Sequence, residues 1–182
     1  MDTVFNERQK PKGKQTNNKK VIIIIKRKET IPSLFKLFYS VSVDGCLLSV
    51  AFTVRFSMDP VQNVGEHGIL MFDSIVYNLG DGYDPSTGTF TAPLPGIYVF
   101  FISIMGSDNQ PAIRVDITQE SGKVLDAAWA EGQGDLYDQG SSLVTTHLTA
   151  GERVWVKHDG GATALRGGVY TVFSGFLVQA DQ

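Results

Sequence analysis

An all-β fold, an antiparallel sandwich of about ten strands, is the class this sequence predicts, and three observations carry it. From Ala51 onward apolar residues recur with a period close to two. Short apolar runs are separated by dense turn signals, DPSTG, PLPG, GSDNQP, ESGK, EGQGD, TAGE and HDGG. No stretch of this region carries a convincing helical period.

The elements follow in order. Phe52, Val54 and Phe56 alternate with Thr53, Arg55 and Ser57 in the first strand. Further strands are expected at Ile69–Phe72, Ile75–Leu79, Gly88–Thr91 and Gly96–Met105. Ala112–Thr118, Lys123–Ala130, Leu143–Leu148, Arg153–His158 and Tyr170–Gln179 complete the set. Between the early strands, Asp84-Pro85 opens a turn that Gly88 can close in a left-handed conformation, so that Phe90 enters the core. Pro93 and Pro95 stop the chain from running on as a strand, and Gly96 restarts it where a side chain has no room.

The strand faces are unequally dressed. Ile113, Val115 and Ile117 alternate with Arg114 and Asp116, the pattern of a sheet with one face in water. Gly96–Met105 instead places Tyr98, Phe100, Ile102 and Ile104 on one face and Ile97, Val99 and Phe101 on the other. The last strand repeats this, with Val172, Phe176 and Val178 opposite Phe173 and Leu177. Two layers cover only one face of each sheet, so the surplus apolar face predicts a further cover. Another copy of the chain is one candidate, and loops or the N-terminal segment are the other.

Composition narrows the function classes. The 182 residues are 42% hydrophobic with 19 glycines, which suits one buried domain plus an appendage. Cys46 is the single cysteine, so no intrachain disulfide and no cysteine metal pair can form. Residues 1–50 hold ten Lys/Arg against four Asp/Glu, and the remainder six against fifteen. An acidic body argues against nucleic-acid binding, which needs clustered cations to displace counterions. Residues 1–48 read as a basic N-terminal extension outside the domain at 49–182. The run VIIIIKRK is too short for a transmembrane span, which takes about 20 residues, and too short for a secretory leader core. It fits an unusual leader, a membrane-associating segment or an extension upstream of the true start, and does not fix the compartment.

One segment is the most specific. Tyr83–Phe100, YDPSTGTFTAPLPGIYVF, extends backward to give Phe72, Asn78, Tyr83, Phe90, Gly96, Tyr98 and Phe100 at fixed intervals. This spacing resembles the pattern of complement C1q-type globular domains, which runs Phe, Asn/Asp, aromatic, Phe, then Gly-x-Tyr-x-Phe-x-aromatic. Ile102 stands where that pattern ends in an aromatic. AFTVRFS resembles the family's first strand, GERVWVK with Trp155 its Val-Trp/Phe strand, and VFSGFLV with Phe173, Gly175 and Phe176 its closing strand.

The resemblance covers about residues 50–182. It implies a ten-strand antiparallel jelly roll of the C1q and tumour-necrosis-factor type, assembled as a homotrimer with the Gly96 and Phe176 strands nearest the three-fold axis. Ile97, Val99, Phe101, Phe173 and Leu177 become the trimer-interface candidates. It further implies a secreted, extracellular, collagen-free recognition protein of innate immunity. Such a protein is lectin-like and binds polysaccharide or protein on microbial or self surfaces through loops at the trimer apex. A matrix component or a trimeric receptor ligand is the alternative.

Catalysis is not expected: there is no G-x-S-x-G, no phosphate loop and no H-E-x-x-H, and His67, His147 and His158 are scattered, as surface histidines are. Asp135, Asp138 and Gln139 in EGQGDLYDQGSS offer hard oxygen atoms among flexible glycines, a candidate calcium site, with a solvated turn as the alternative. Relatives that hold calcium near the trimer top do so through Asp and Gln in a comparable loop, without matching this spacing. Asp81 and Asp84 form a weaker acidic cluster, and no Asn-x-Ser/Thr sequon occurs.

Overall fold

The structure, a computed structural model, describes residues 49–61, 64–107, 109–132 and 137–182. The expected extension at 1–48 lies outside the described residues. Eleven strands and no helix are found among those described.

A six-stranded antiparallel sheet contains β1 (Ala51–Arg55), β2 (Ser74–Leu79), β5 (Gly96–Gly106), β8 (Gln139–Leu148), β10 (Leu165–Arg166) and β11 (Val172–Ala180). In it β2 pairs with β1, β1 with β11 and β11 with β5, while β8 lies along the other side of β5 and β10 pairs with its end. The second sheet orders β3 (Tyr83–Asp84), β4 (Thr89–Thr91), β9 (Arg153–Gly161), β6 (Gln110–Gln119) and β7 (Val124–Gly132). The two short strands β3 and β10 carry no sequence period, being too brief to show one.

The sheets enclose one core, and the aromatic residues of the resemblance build its centre. The Phe52 ring stacks on Phe90 at 4.9 Å and on Tyr83 at 5.3 Å, and meets Phe173 edge-on at 5.0 Å. Phe72, Phe90, Tyr98, Phe100 and Phe173 are fully buried. Each such burial contributes about 1.5–3 kcal/mol, and edge or offset ring pairs add to that. The Tyr98 hydroxyl donates to the Leu94 carbonyl at 2.7 Å and the Tyr83 hydroxyl to that of Phe72 at 3.3 Å, so neither ring buries an unpaired polar atom. Burial pushes both phenols above the usual tyrosine range.

The turn at Asp84 forms as its residues dictate. The Asp84 carbonyl accepts from the Gly88 amide at 2.9 Å, its Oδ1 accepts from the Ser86 amide at 2.8 Å, and Gly88 sits at φ 69°. Gly96 is tight against β11: a Cβ there would lie 2.2 Å from the Gln179 carbonyl oxygen.

Some expectations change. Of Ile69–Phe72, only Ile69 makes a bridge, to Lys157, while Leu70 and Phe72 turn into the core. HDGG is not a turn but the end of β9, where the ladder with β6 bulges opposite Arg114 and Val115. Gly161 allows this, since a Cβ would meet the Ala112 carbonyl at 1.8 Å. Asp116, expected in water, is 3% exposed. His158 is not surface decoration: it is 1% exposed, accepts the His67 amide at Nδ1 (3.3 Å) and donates from Nε2 to the Ala162 carbonyl (3.0 Å).

Both ends of the described domain lie at one end of the six-stranded sheet. The Leu177 amide donates to the Val50 carbonyl at 2.9 Å, and that of Asp181 to Pro95 at 3.0 Å. The opposite end gathers the segments around Asp59, Gly106, Asp138 and Leu165, tied by Val61–Leu165 and Gly106–Asp138 backbone bonds.

Candidate functional site

Three surfaces stand out, beginning with the outer face of the six-stranded sheet. Along β5, Tyr98, Phe100, Ile102 and Ile104 are fully buried, while Ile97, Val99 and Phe101 point the other way and Ile97 remains 38% exposed. In register beside them, Phe176 pairs with Val99, and Leu143 pairs with Phe101. Phe176 is 48% exposed and Leu143 62%. Val178 extends the apolar surface on β11, and Tyr77 exposes apolar area on the edge strand β2.

This geometry corrects two interface candidates. Phe173 pairs with Ile102 and is fully buried, and Leu177 packs partly buried against the core. Directly opposed residues of an antiparallel pair share a face, so Phe173, Gly175 and Leu177 follow the inward residues of β5. Phe176 takes the outward position.

The second surface is the loop end. Asp138 and Gln139 are exposed there, whereas Asp135 lies outside the described residues. Asp138 accepts the Gln139 amide at Oδ1 (2.9 Å) and the Glu131 amide at Oδ2 (3.4 Å), while Gln139 Nε2 donates to Ser103 Oγ at 2.8 Å. Calcium takes six to eight oxygens. Among the described residues no group of three or more His, Cys, Asp or Glu suited to a metal occurs.

Beside them Arg166 lies between the rings of Tyr137 and Tyr170, its guanidinium carbon 5.0 and 5.1 Å from their centroids. It grips Asp59 with Nε to Oδ1 at 2.7 Å and Nη2 to Oδ2 at 2.6 Å. These hydrogen bonds hold the Asp59 carboxyl below the usual range against the opposing effect of burial, and the Gly167 amide adds to them. Asp81 and Asp84 do not form a ligand cluster: Asp84 closes its own turn with Ser86.

The third surface, invisible to the sequence reading, is a groove of about 360 Å³ on the outer face of the five-stranded sheet, at Asp116, Thr118, Trp155 and Lys157. Its signal was present in β9, where Trp155, Lys157 and Asp159 alternate with the buried Val154, Val156 and His158. Arg114 Nε reaches Asp116 Oδ1 at 3.1 Å and its Nη1 reaches Asp159 Oδ2 at 3.4 Å. Burial nevertheless raises the Asp116 carboxyl above its ordinary range, opposed by Arg114 and reinforced by Asp159.

Two antiparallel sheets in this strand order, closed over an aromatic core, define a jelly roll of the kind shared by C1q and tumour-necrosis-factor domains. The chain belongs to the C1q domain family, whose profile matches residues 51–178. Solved structures agree on the fold. The globular domain of zebrafish complement 1qA is similar with TM-score 0.61 and 21% identity, covering 72% of this chain and 99% of that one. Murine APRIL is similar at TM-score 0.56 and 18% identity, covering 71% and 99%. Eiger TNF from S. frugiperda is similar at TM-score 0.50 and 15% identity, covering 74% and 94%.

Proposed function

We propose that this C1q-domain chain is a non-catalytic, secreted recognition protein of innate immunity. It assembles as a homotrimer and binds polysaccharide or protein on microbial or self surfaces. One observation carries the reading: the outer face of the six-stranded sheet exposes Ile97, Leu143, Phe176 and Val178 in a continuous apolar patch. Patches of this kind mark interaction surfaces. Three-fold closure about β5 and β11 covers the patch and points three copies of the Tyr137, Asp138 and Arg166 end in one direction. Weak single contacts then gain from avidity.

Pull-down and agglutination with bacterial polysaccharide test the reading. The full chain should sediment with polysaccharide-coated beads and cross-link bacteria, and no retention on any surface would refute it. A chelator arm addresses calcium: retention that survives chelation leaves Asp138 and Gln139 without a metal role.

A matrix component or trimeric receptor ligand is the second reading, supported by the fold likeness to murine APRIL and Eiger TNF. Saturable binding to cells without polysaccharide binding would favour it.

A further inference from the structure

The groove on the five-stranded sheet has a floor, a platform and a missing partner. Thr118 pairs with Trp155 on one side and Val124 on the other, and Asp116 pairs with Lys157. This parity turns Asp116, Thr118, Trp155 and Lys157 outward into one strip, and Ile69, bridged to Lys157, closes one side. Asp116 and Thr118 are only 3% and 6% exposed, so they form the floor, while the half-buried Trp155 and Lys157 stand above it. The Thr118 hydroxyl is buried and has no hydrogen-bond partner. Leaving such a group unpaired is unfavourable, and a ligand hydroxyl or a water can recover the loss.

The chemistry selects among ligand classes. Arg114 and Lys157 balance Asp116 and Asp159, so neither a simple anion nor a simple cation is favoured. An extended peptide has no ladder to join, because β6 and β9 are each paired on both sides. What remains is a neutral ligand with one flat apolar face and several hydroxyls, at a volume near the lower end for small-molecule sites.

We propose that this groove binds a pyranose ring, its apolar face against Trp155 and its hydroxyls shared by Thr118, Asp116 and Lys157. The inference rests on the recognition reading for the kind of surface the sugar belongs to, and adds a site on the flank of each subunit, away from the loop end.

The test titrates the isotope-labelled full chain with the methyl pyranosides of glucose, galactose, mannose and N-acetylglucosamine, following the Trp155 indole by NMR. Trp129→Phe leaves Trp155 as the sole indole. A saturable shift at Trp155, Thr118 and Val124 is expected with at least one sugar. Thr118→Val should weaken it about tenfold. Trp155→Ala should abolish it, and Trp155→Phe should keep part of it and guards against a folding failure. No shift at Trp155 with any of the four sugars overturns the proposal, as does unchanged affinity in folded Thr118→Val and Trp155→Ala chains. A bacterial polysaccharide that binds but shifts only Tyr137–Gly140 refutes the groove and leaves the recognition reading standing. No pyranoside shift together with no retention of the chain on any microbial or cell surface refutes both.

Discussion

Gly175 on β11 lies directly opposite Phe100 on β5, and a Cβ built at Gly175 would come within 2.7 Å of the Phe100 ring and 2.6 Å of Phe52. Both rings are held by the rest of the aromatic cluster and neither can retreat freely. Gly175→Ala is therefore expected to destabilise the domain by about 1–3 kcal/mol through overpacking. Urea unfolding measures this, and a variant as stable as the parent would show that the core yields there.

Phe176, one residue on, faces away from that core beside Val99. Phe176→Glu should weaken self-association by about 2 kcal/mol or more while leaving the unfolding midpoint of the subunit little changed. Sedimentation at micromolar concentration reads the outcome. Parent chains that run as single subunits would remove the trimer from the account altogether.

Asn78 clamps the start of β3 by donating from Nδ2 to the Tyr83 carbonyl at 2.9 Å and accepting the Tyr83 amide at Oδ1 at 3.2 Å. Asn78→Leu keeps the size of the side chain and removes both bonds. A loss of about 1–3 kcal/mol is expected, measured by thermal and urea unfolding.

The Asp59–Arg166 pair sets an acid limit. Its carboxyl pKa is depressed in the folded chain, so its stabilisation is complete above the unfolded value of about 3.9 and disappears as pH falls through the lower folded value. Asp59→Asn should cost about 1 kcal/mol at neutral pH and flatten the decline below pH about 4. Asp84, Glu120 and Glu152 titrate in the same direction, so the difference between parent and variant isolates this pair. Parallel curves for the two chains would show that the pair contributes nothing.

Much of the fold was legible in the order of residues because burial imposes a period of two. Phe52, Val54 and Phe56, or Ile113, Val115 and Ile117, announce both the strand and its inner face. Periodicity stops informing where both faces are apolar. In VFSGFLV either parity reads as core, and only the register with β5 puts Phe173 inside and Phe176 outside. The glycine at the centre removed the side chain that would have marked the inner face. Asp116 was misplaced for a related reason: a polar residue on alternate positions signals water, yet its cross-strand neighbours, Lys157 among them, leave it little exposure. The buried role of His158 depends on two backbone groups, at His67 and Ala162, that no local pattern connects to it. The aromatic intervals from Phe72 to Phe100 were the most informative because Tyr83, Phe90 and Phe100 surround Phe52, while Phe72 and Tyr98 join that cluster through Phe173 and Phe90.

The bond from the Leu177 amide to the Val50 carbonyl, which holds the first and last described strands side by side, has a practical corollary. A tether placed after Gln182 would anchor the domain to a sensor chip by the end that holds Val50 and Leu177. Tyr137, Arg166 and Tyr170 would then project into the flowing analyte. Coupling through random lysines would lay some molecules down on those same side chains and silence them.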